Sequence, residues 1–330
     1  MIPSPLLLSL LLSSLCRAAS PSWQDPLDPE NLLRARDPPK PPGKRQPLPE
    51  LYQRRYSEVT FVGTHNSAAV RTKENGWSIS GNQYFNLSVQ LESGIRLIQA
   101  QGHRDPNGTN QIRLCHFNCA LMDGGSLEEY LLTTKAWLGA NPKEIVTFLF
   151  VNTGVPLIRW IEAYYRTGFD LISYEPPPDK RYGRMQIEDW PTIEEMVQSG
   201  KRAVTFLSGG AREELVPWLL AEFDYMFETD FGNESPWQFS CEPARPRWPG
   251  SYIPNRLSLV NHFLYAKFFG FRYPDAAHAN QTNSASFEIG ALGEHAARCR
   301  TRYERRPNFL LVDFFNEGDV WDVEHGMNAF

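Results

Sequence analysis

Three of the chain's seven histidines close apolar runs: VTFVGTH ends on His65, RLIQAQGH on His103 and IRLCH on His116. Imidazole titrates near neutrality, so two histidines facing one substrate can supply both a base and an acid for phosphoryl or acyl transfer without a cofactor. Strand alternation along RLIQAQGH sets Gln99, Gln101 and His103 on one face and Arg96 on the other. The late run NFLLVDFFN carries Asp313, a carboxylate able to orient a histidine or to bond backbone; both readings stand. Three histidines also suit zinc, the competing reading. The sequence holds no HExxH and no close Cys/His cluster, so neither metal nor cofactor is expected.

Histidines at strand ends can meet only if the strands run parallel and open on one mouth. SLEEYLLTTKAWLGANP reads as a helix, with Ser126 and Glu129 at capping-box spacing and Asn141-Pro142 as its stop, and the buried strand EIVTFLFVN follows. TIEEMVQSGKRAVTFLS repeats that order, with Gly200 at the helix end. Helices interleaved with buried strands predict parallel βα units. At 330 residues and 42% hydrophobic composition the chain fits one large core. The expectation is an α/β fold, a TIM-type (β/α)8 barrel or a distorted version of it, in a single domain over 51–330. In such a barrel the C-terminal strand ends carry the active site, which selects His65, His103, His116 and Asp313 as catalytic candidates.

The ordered set GTHNS, SGIRLIQAQGH, RLCH and EIVTFLFVN, from about Phe61 to Asn152, resembles the X-domain of phosphatidylinositol-specific phospholipases C and their secreted fungal and plant relatives. NFLLVDFFN is a weaker echo. The resemblance implies a phosphoric diester hydrolase or lyase acting on a phospholipid or phosphoinositide-type substrate. His65 matches the base that deprotonates the attacking inositol hydroxyl, His116 matches the acid that protonates the leaving oxygen, and Asp313 matches the orienting carboxylate. Asn66 stands where calcium-dependent members place an asparagine ligand, and with Gln99 and Gln101 it completes the expected substrate-contacting set. The departures matter equally. Calcium-dependent members carry acidic residues at the Gln99, Gln101 and Val151 positions, and metal-free bacterial members carry arginine at Gln101 and lysine at Val151. All three are neutral here, so either a protonated His103 supplies the missing charge or the barrel is catalytically weakened and serves as a binding module for a lipid headgroup, sugar phosphate or protein.

Residues 1–19 hold a leucine-rich run followed by small residues, the layout of a secretory signal, and the run is too short for a membrane anchor. Residues 20–50 are rich in proline and charge and read as an arm. A secreted, extracellular location follows, and four sequons, at Asn86, Asn107, Asn233 and Asn280, would be usable for glycosylation on that route. Cys115, Cys119, Cys241 and Cys299 remain after the signal. Of three possible pairings, Cys115–Cys119 and Cys241–Cys299 are favoured. With 33 basic against 38 acidic residues the net charge is −5, which gives no support to a nucleic-acid partner; the expected partner is a phospholipid or phosphodiester, with transient membrane-surface contact and no transmembrane segment. The stretch 236–254 is rich in Pro and Trp and reads as an irregular loop whose aromatics, Trp237, Phe239, Trp248 and Tyr252, are expected to pack as loop core, with a membrane-contacting rim or ligand wall as the alternative. The basic run 298–306 reads as a solvated helix face, with contact to anionic headgroups as the alternative.

Overall fold

The structure, a computed structural model, describes residues 39–46, 48–247, 254–268 and 270–329. The expected signal segment, most of the arm, and Trp248 and Tyr252 lie outside the described residues. The strands are β1 (Phe61–Thr64), β2 (Leu97–Arg104), β3 (Ile112–Cys115), β4 (Asp123–Ser126), β5 (Val146–Asn152), β6 (Ala203–Leu207), β7 (Leu219–Ala221), β8 (Met226–Glu228), β9 (Leu257–His262), β10 (Tyr265–Phe268), β11 (Phe271–Pro274) and β12 (Phe309–Val312). The main sheet runs β7-β6-β5-β2-β1-β12-β9-β8, parallel throughout. Its two edges, β7 and β8, are consecutive in the chain, separated only by the four-residue helical turn Glu222–Tyr225. One kinked segment thus pairs with β6 in its first half and with β9 in its second, joining the edges of a distorted (β/α) barrel.

Both faces of the sheet are buried, as parallel sheets require, and alternation sorts the side chains into two cores. Val62, Ile98, Phe148, Phe150, Leu310 and Val312 pack outward with the helices, including Leu127–Ala140 and Leu157–Thr167. Phe61, Leu97, Leu149, Phe206, Leu259, Phe309 and Leu311 fill the lumen. Gly63 shares that inward parity; a Cβ there would lie 2.8 Å from the Leu97 Cβ, so glycine lets β1 and β2 pack closely inside the barrel.

The strand before His116 departs from the parallel expectation. β2 runs past the mouth, and β3 folds back antiparallel along it, Gly102 opposite Leu114 and Arg104 opposite Ile112. β3 then pairs antiparallel with β4. His116 therefore descends onto the mouth from a hairpin. The disulfides Cys115–Cys119 and Cys241–Cys299 are both formed. Of the four sequons, Asn86, Asn107 and Asn280 are exposed. Asn233 is buried and its amide nitrogen, the atom a glycan would take, donates to the Asp230 carbonyl at 3.0 Å; the fold withdraws this sequon from the accessible set. Phe239 is buried, as expected of loop core, whereas Trp237 is 72% exposed.

Phe239 stacks on a buried histidine pair, His262 and His295, whose Nδ1 atoms lie 2.9 Å apart. The His262 Nε2 faces the Thr282 carbonyl at 2.8 Å, and the His295 Nε2 faces the Ser240 carbonyl at 3.2 Å. Two neutral rings own two N–H groups for these three contacts. Burial pushes His262 down to about 4 and His295 well below its ordinary value, the latter helped by His262 and Arg298. Folded, the pair stays neutral where the unfolded chain, at its ordinary 6.5, takes up protons. Its stabilising contribution is complete above about pH 6.5 and is lost as pH falls through about 4. Thermal melts from pH 7.5 to 4 should lose on the order of 10 °C, concentrated below pH 6.5. A midpoint flat across that window would show that the pair does not titrate with folding.

Candidate active site

Strand parity aims the mouth. His65 shares the inward parity of Phe61 and Gly63, Gln99 and Gln101 that of Leu97, Val151 that of Leu149, and Asp313 that of Leu311. The main-chain N–H of His65 donates to the Val312 carbonyl at 2.9 Å, extending the β1–β12 ladder one residue past its end. That brings the His65 Nδ1 to 2.9 Å from Asp313 Oδ1, with both side chains buried. The Asn66 amide nitrogen lies 2.9 Å from the His65 Nε2. An amide N–H can only donate, so Nε2 carries the lone pair and Nδ1–H donates to Asp313; the Asn82 amide nitrogen, 3.2 Å from Nδ1, gives its own N–H to the same Asp313 oxygen at the shorter distance of 2.9 Å. This is the tautomer a general base at Nε2 needs.

The polar neighbours fix that arrangement. Asn66 sits in the left-handed region, φ 45°; its main-chain N–H donates to Gln99 Oε1 at 2.6 Å and its side-chain oxygen accepts from Gln101 Nε2 at 3.1 Å. The loop of residues 66–83 adds what sequence reading missed. The Asn82 amide donates to the same Asp313 oxygen at 2.9 Å, and the Gln83 amide donates to the carbonyls of His65 and Val312. Phe263, just beyond β9, stacks flat on the His65 ring at a centroid distance of 3.8 Å. Arg71, also on that loop, is buried; it donates to the Gly81 and Pro274 carbonyls, lies 4.7 Å from the Phe314 ring centroid, and is electrostatically coupled to Asp313. The sole sequence signal for these residues was a polar, glycine-containing stretch directly after the first histidine motif.

His116 faces His65 at a ring-centroid distance of 6.4 Å. Its Nδ1–H donates to the Ser80 carbonyl at 2.6 Å, so in the neutral ring Nε2 carries the lone pair, and Phe117 stacks on its ring. Burial pushes its pKa down to about 4, with His65 and His103 adding to the effect. His103 lies on the overhanging part of β2, opposite Arg113. Burial lowers its pKa as well, although a bond to the Cys115 backbone opposes the shift. This environment disfavours the imidazolium and so opposes the idea that His103 stands in for a fixed cation. Gln101 and Val151 are direct partners across the β2–β5 ladder, with Gln99 two residues along the same face. The neutral positions thus form one contiguous patch. Among the described residues, Asp313 Oδ2 and Asn82 Oδ1 are buried acceptors that take no hydrogen bond.

Among the described residues, the one His/Cys/carboxylate grouping close enough for a metal is Cys241, His295 and Cys299, and both sulfurs are spent in the disulfide. Among the same residues no helix is long and apolar enough to cross a membrane.

The chain has relatives among known proteins. The PI-PLC X 1 family model matches residues 51–328. The PI-PLC X domain-containing protein 1 of Arthroderma benhamiae is 36% identical over 283 residues, covering 85% of this chain and 88% of that protein. An uncharacterized secreted protein of the same fungus is 35% identical over 82% of this chain and 60% of its own length, and an Arabidopsis thaliana PI-PLC X domain-containing protein is 26% identical over 83% and 62%. In fold, the phosphatidylinositol-specific phospholipase C of Listeria monocytogenes superposes with a TM-score of 0.55 at 17% identity, covering 86% of this chain and 95% of that one. A match along nearly the whole described barrel, with a fungal relative above one-third identity, means that this chain belongs to the PI-PLC X family.

Proposed function

We propose that this chain is a secreted phosphodiesterase that cleaves a phospholipid or phosphoinositide-type diester by metal-independent acid–base catalysis, with His65 as base and His116 as acid. The observation that carries the reading is the buried His65–Asp313 pair at 2.9 Å with His116 across the mouth. In the forward step the His65 Nε2 takes the proton of a substrate hydroxyl, that oxygen bonds to phosphorus, and the P–O bond to the leaving group breaks as His116 Nε2–H protonates the departing oxygen. Asp313 balances the charge gained by His65. Ile79, Phe117 and Leu121, each about half exposed, flank the residues that hold His116 and give that side of the mouth an apolar rim suited to a lipid surface. The pKa of His116, near 4, favours turnover on the acid side of neutrality, where more of the acid form is present. The fungal relative described as secreted supports the proposed route.

A second reading, a barrel retained for binding, is favoured by the neutral patch of Gln99, Gln101 and Val151 and by the Asn66 amide capping the base's lone pair. One assay separates the two. The protein is incubated with phosphatidylinositol and a panel of lipid phosphodiesters from pH 4 to 8, with and without EDTA, beside His65→Ala and His116→Ala. Turnover that survives EDTA and disappears in both variants is the expected result. Headgroup binding without turnover on any substrate would leave the second reading.

A further inference from the structure

Arg71 is a buried guanidinium that the proposed chemistry leaves unused. Among the described residues it forms no ion pair; burial disfavours its charge, and Tyr84, Asp313 and Tyr273 favour it. A buried cation without a paired carboxylate is costly, so filling space does not account for it. Its donors go to three carbonyls. Nε donates to Gly81 at 2.8 Å, and Nη2 donates to Ile79 at 3.2 Å and to Pro274 at 3.3 Å. Gly81 and Ile79 flank Ser80, whose carbonyl accepts from the His116 Nδ1–H at 2.6 Å. Two donors of one rigid plane thus hold the chain on either side of the acceptor that orients the His116 ring. The fit is close, since a Cβ at Gly81 would lie 2.5 Å from Arg71 Cγ.

The same guanidinium reaches the elements behind His65. Pro274 closes β11 and stands opposite Tyr265 in the β10–β11 hairpin, just past Phe263, whose ring stacks on His65. The Phe314 ring, its centroid 4.7 Å from the guanidinium carbon, belongs to the residue after Asp313, and the Phe314 main-chain N–H donates to the Asn82 carbonyl at 2.9 Å. One side chain therefore touches the loop that holds His116 and the segments that carry Phe263 and Asp313. Arginine suits this place because its donors diverge in a fixed plane, whereas lysine concentrates its donors on one nitrogen and cannot span carbonyls two residues apart in the same way.

We infer that Arg71 is a positioning residue that sets His116 against His65: its planar fork fixes the carbonyls on either side of Ser80, and with them the acceptor that orients the His116 ring, while its remaining contacts tie that loop to the segments carrying Asp313 and Phe263. The consequence for turnover rests on the proposed catalysis; the orientation of the His116 ring does not.

Nitrogen-15 spectra of the histidine rings of the full chain near neutral pH, where His116 is uncharged because burial holds its pKa at about 4, test this on two variants. Arg71→Lys removes the fork, and Gly81→Ala leaves the arginine but drives a Cβ into its stem. The parent should show a single Nδ1–H tautomer at His116, and both variants a mixture of the two tautomers. The rings of His262 and His295, buried away from this loop, should keep their parent shifts and so report an intact fold. A merely structural role would not change the tautomer of one ring while sparing those two. Turnover on the diester that the parent cleaves should fall about 100-fold in Arg71→Lys, with KM within a few-fold, because misplacing a catalytic group by about 1 Å costs that much. A parent that cleaves no diester would remove the catalytic reading and leave the tautomers to decide the positioning role. Should Arg71→Lys lose the His262 and His295 signals, Gly81→Ala decides. A mixed tautomer in the parent, the parent's single tautomer in the folded variants, or parent-level turnover in Arg71→Lys would overturn the inference.

Discussion

Asp313→Asn should lower turnover by about 10³- to 10⁴-fold while leaving KM within a few-fold and the thermal midpoint within a few degrees. The expectation follows from proton bookkeeping around one ring. The Asn66 amide donates to His65 Nε2, and Asp313 accepts from Nδ1–H. An asparagine at 313 fills the same volume and can turn its NH2 toward Nδ1. The proton then moves to Nε2, where it opposes the Asn66 amide and leaves no lone pair for the substrate hydroxyl. Nitrogen-15 shifts of the His65 ring would report the tautomer independently of turnover. Activity within tenfold of the parent, with the tautomer unchanged, would remove Asp313 from the mechanism and return it to a strand-end role.

Gln101→Arg should act in the opposite direction and raise turnover by about 10- to 100-fold. Fixed positive charge beside a phosphoryl group is usually among the largest contributions to rate, because a dry, preorganised site opposes little of it. Gln101 points into the mouth, is half-buried, and stands beside Val151 across the ladder, so a guanidinium there would enter the contiguous neutral patch. Arginine keeps an N–H able to donate to Asn66 Oδ1, as Gln101 does, so the support of His65 need not be lost. The gain should shrink at high salt, as an electrostatic effect must. A folded variant that turns over no faster than the parent on any diester would mean that missing charge does not limit the chemistry.

The barrel was legible because long apolar runs separated by capped helices admit few arrangements. The inward set of His65, Gln99, Gln101 and Asp313 was legible because alternation is a property of any strand. What escaped reading was direction. Four residues, Ile112–Cys115, look the same whether they run with β2 or against it, and only the register of Gly102 with Leu114 decides. The mouth's supporting polar groups also escaped. Asn82, Gln83 and Arg71 lie in a loop without periodicity, and their partners, Asp313 and the carbonyls of Val312 and Pro274, are roughly 200 residues or more distant in the chain. The burial of Asn233 belongs to the same class, since a sequon records a chemical possibility and not its exposure. The histidine pair 262/295 was invisible for a further reason, because neither member sits in a motif and they meet only through tertiary packing.

The overhang of β2 and its returning arm carries one more consequence, for how this protein can vary. His116 is spaced from His65 by ladder register, not by the length of the turn between Asp105 and Gln111. Residues added to or removed from that turn leave Gly102 opposite Leu114, and hence His116 where it stands. A slip of one residue within the ladder would instead send the imidazole to the other face. The tip, where Asn107 is exposed, is thus a permissive site for lineage-specific insertions, carbohydrate or an engineered tag, whereas the two strands beneath it tolerate no change in count.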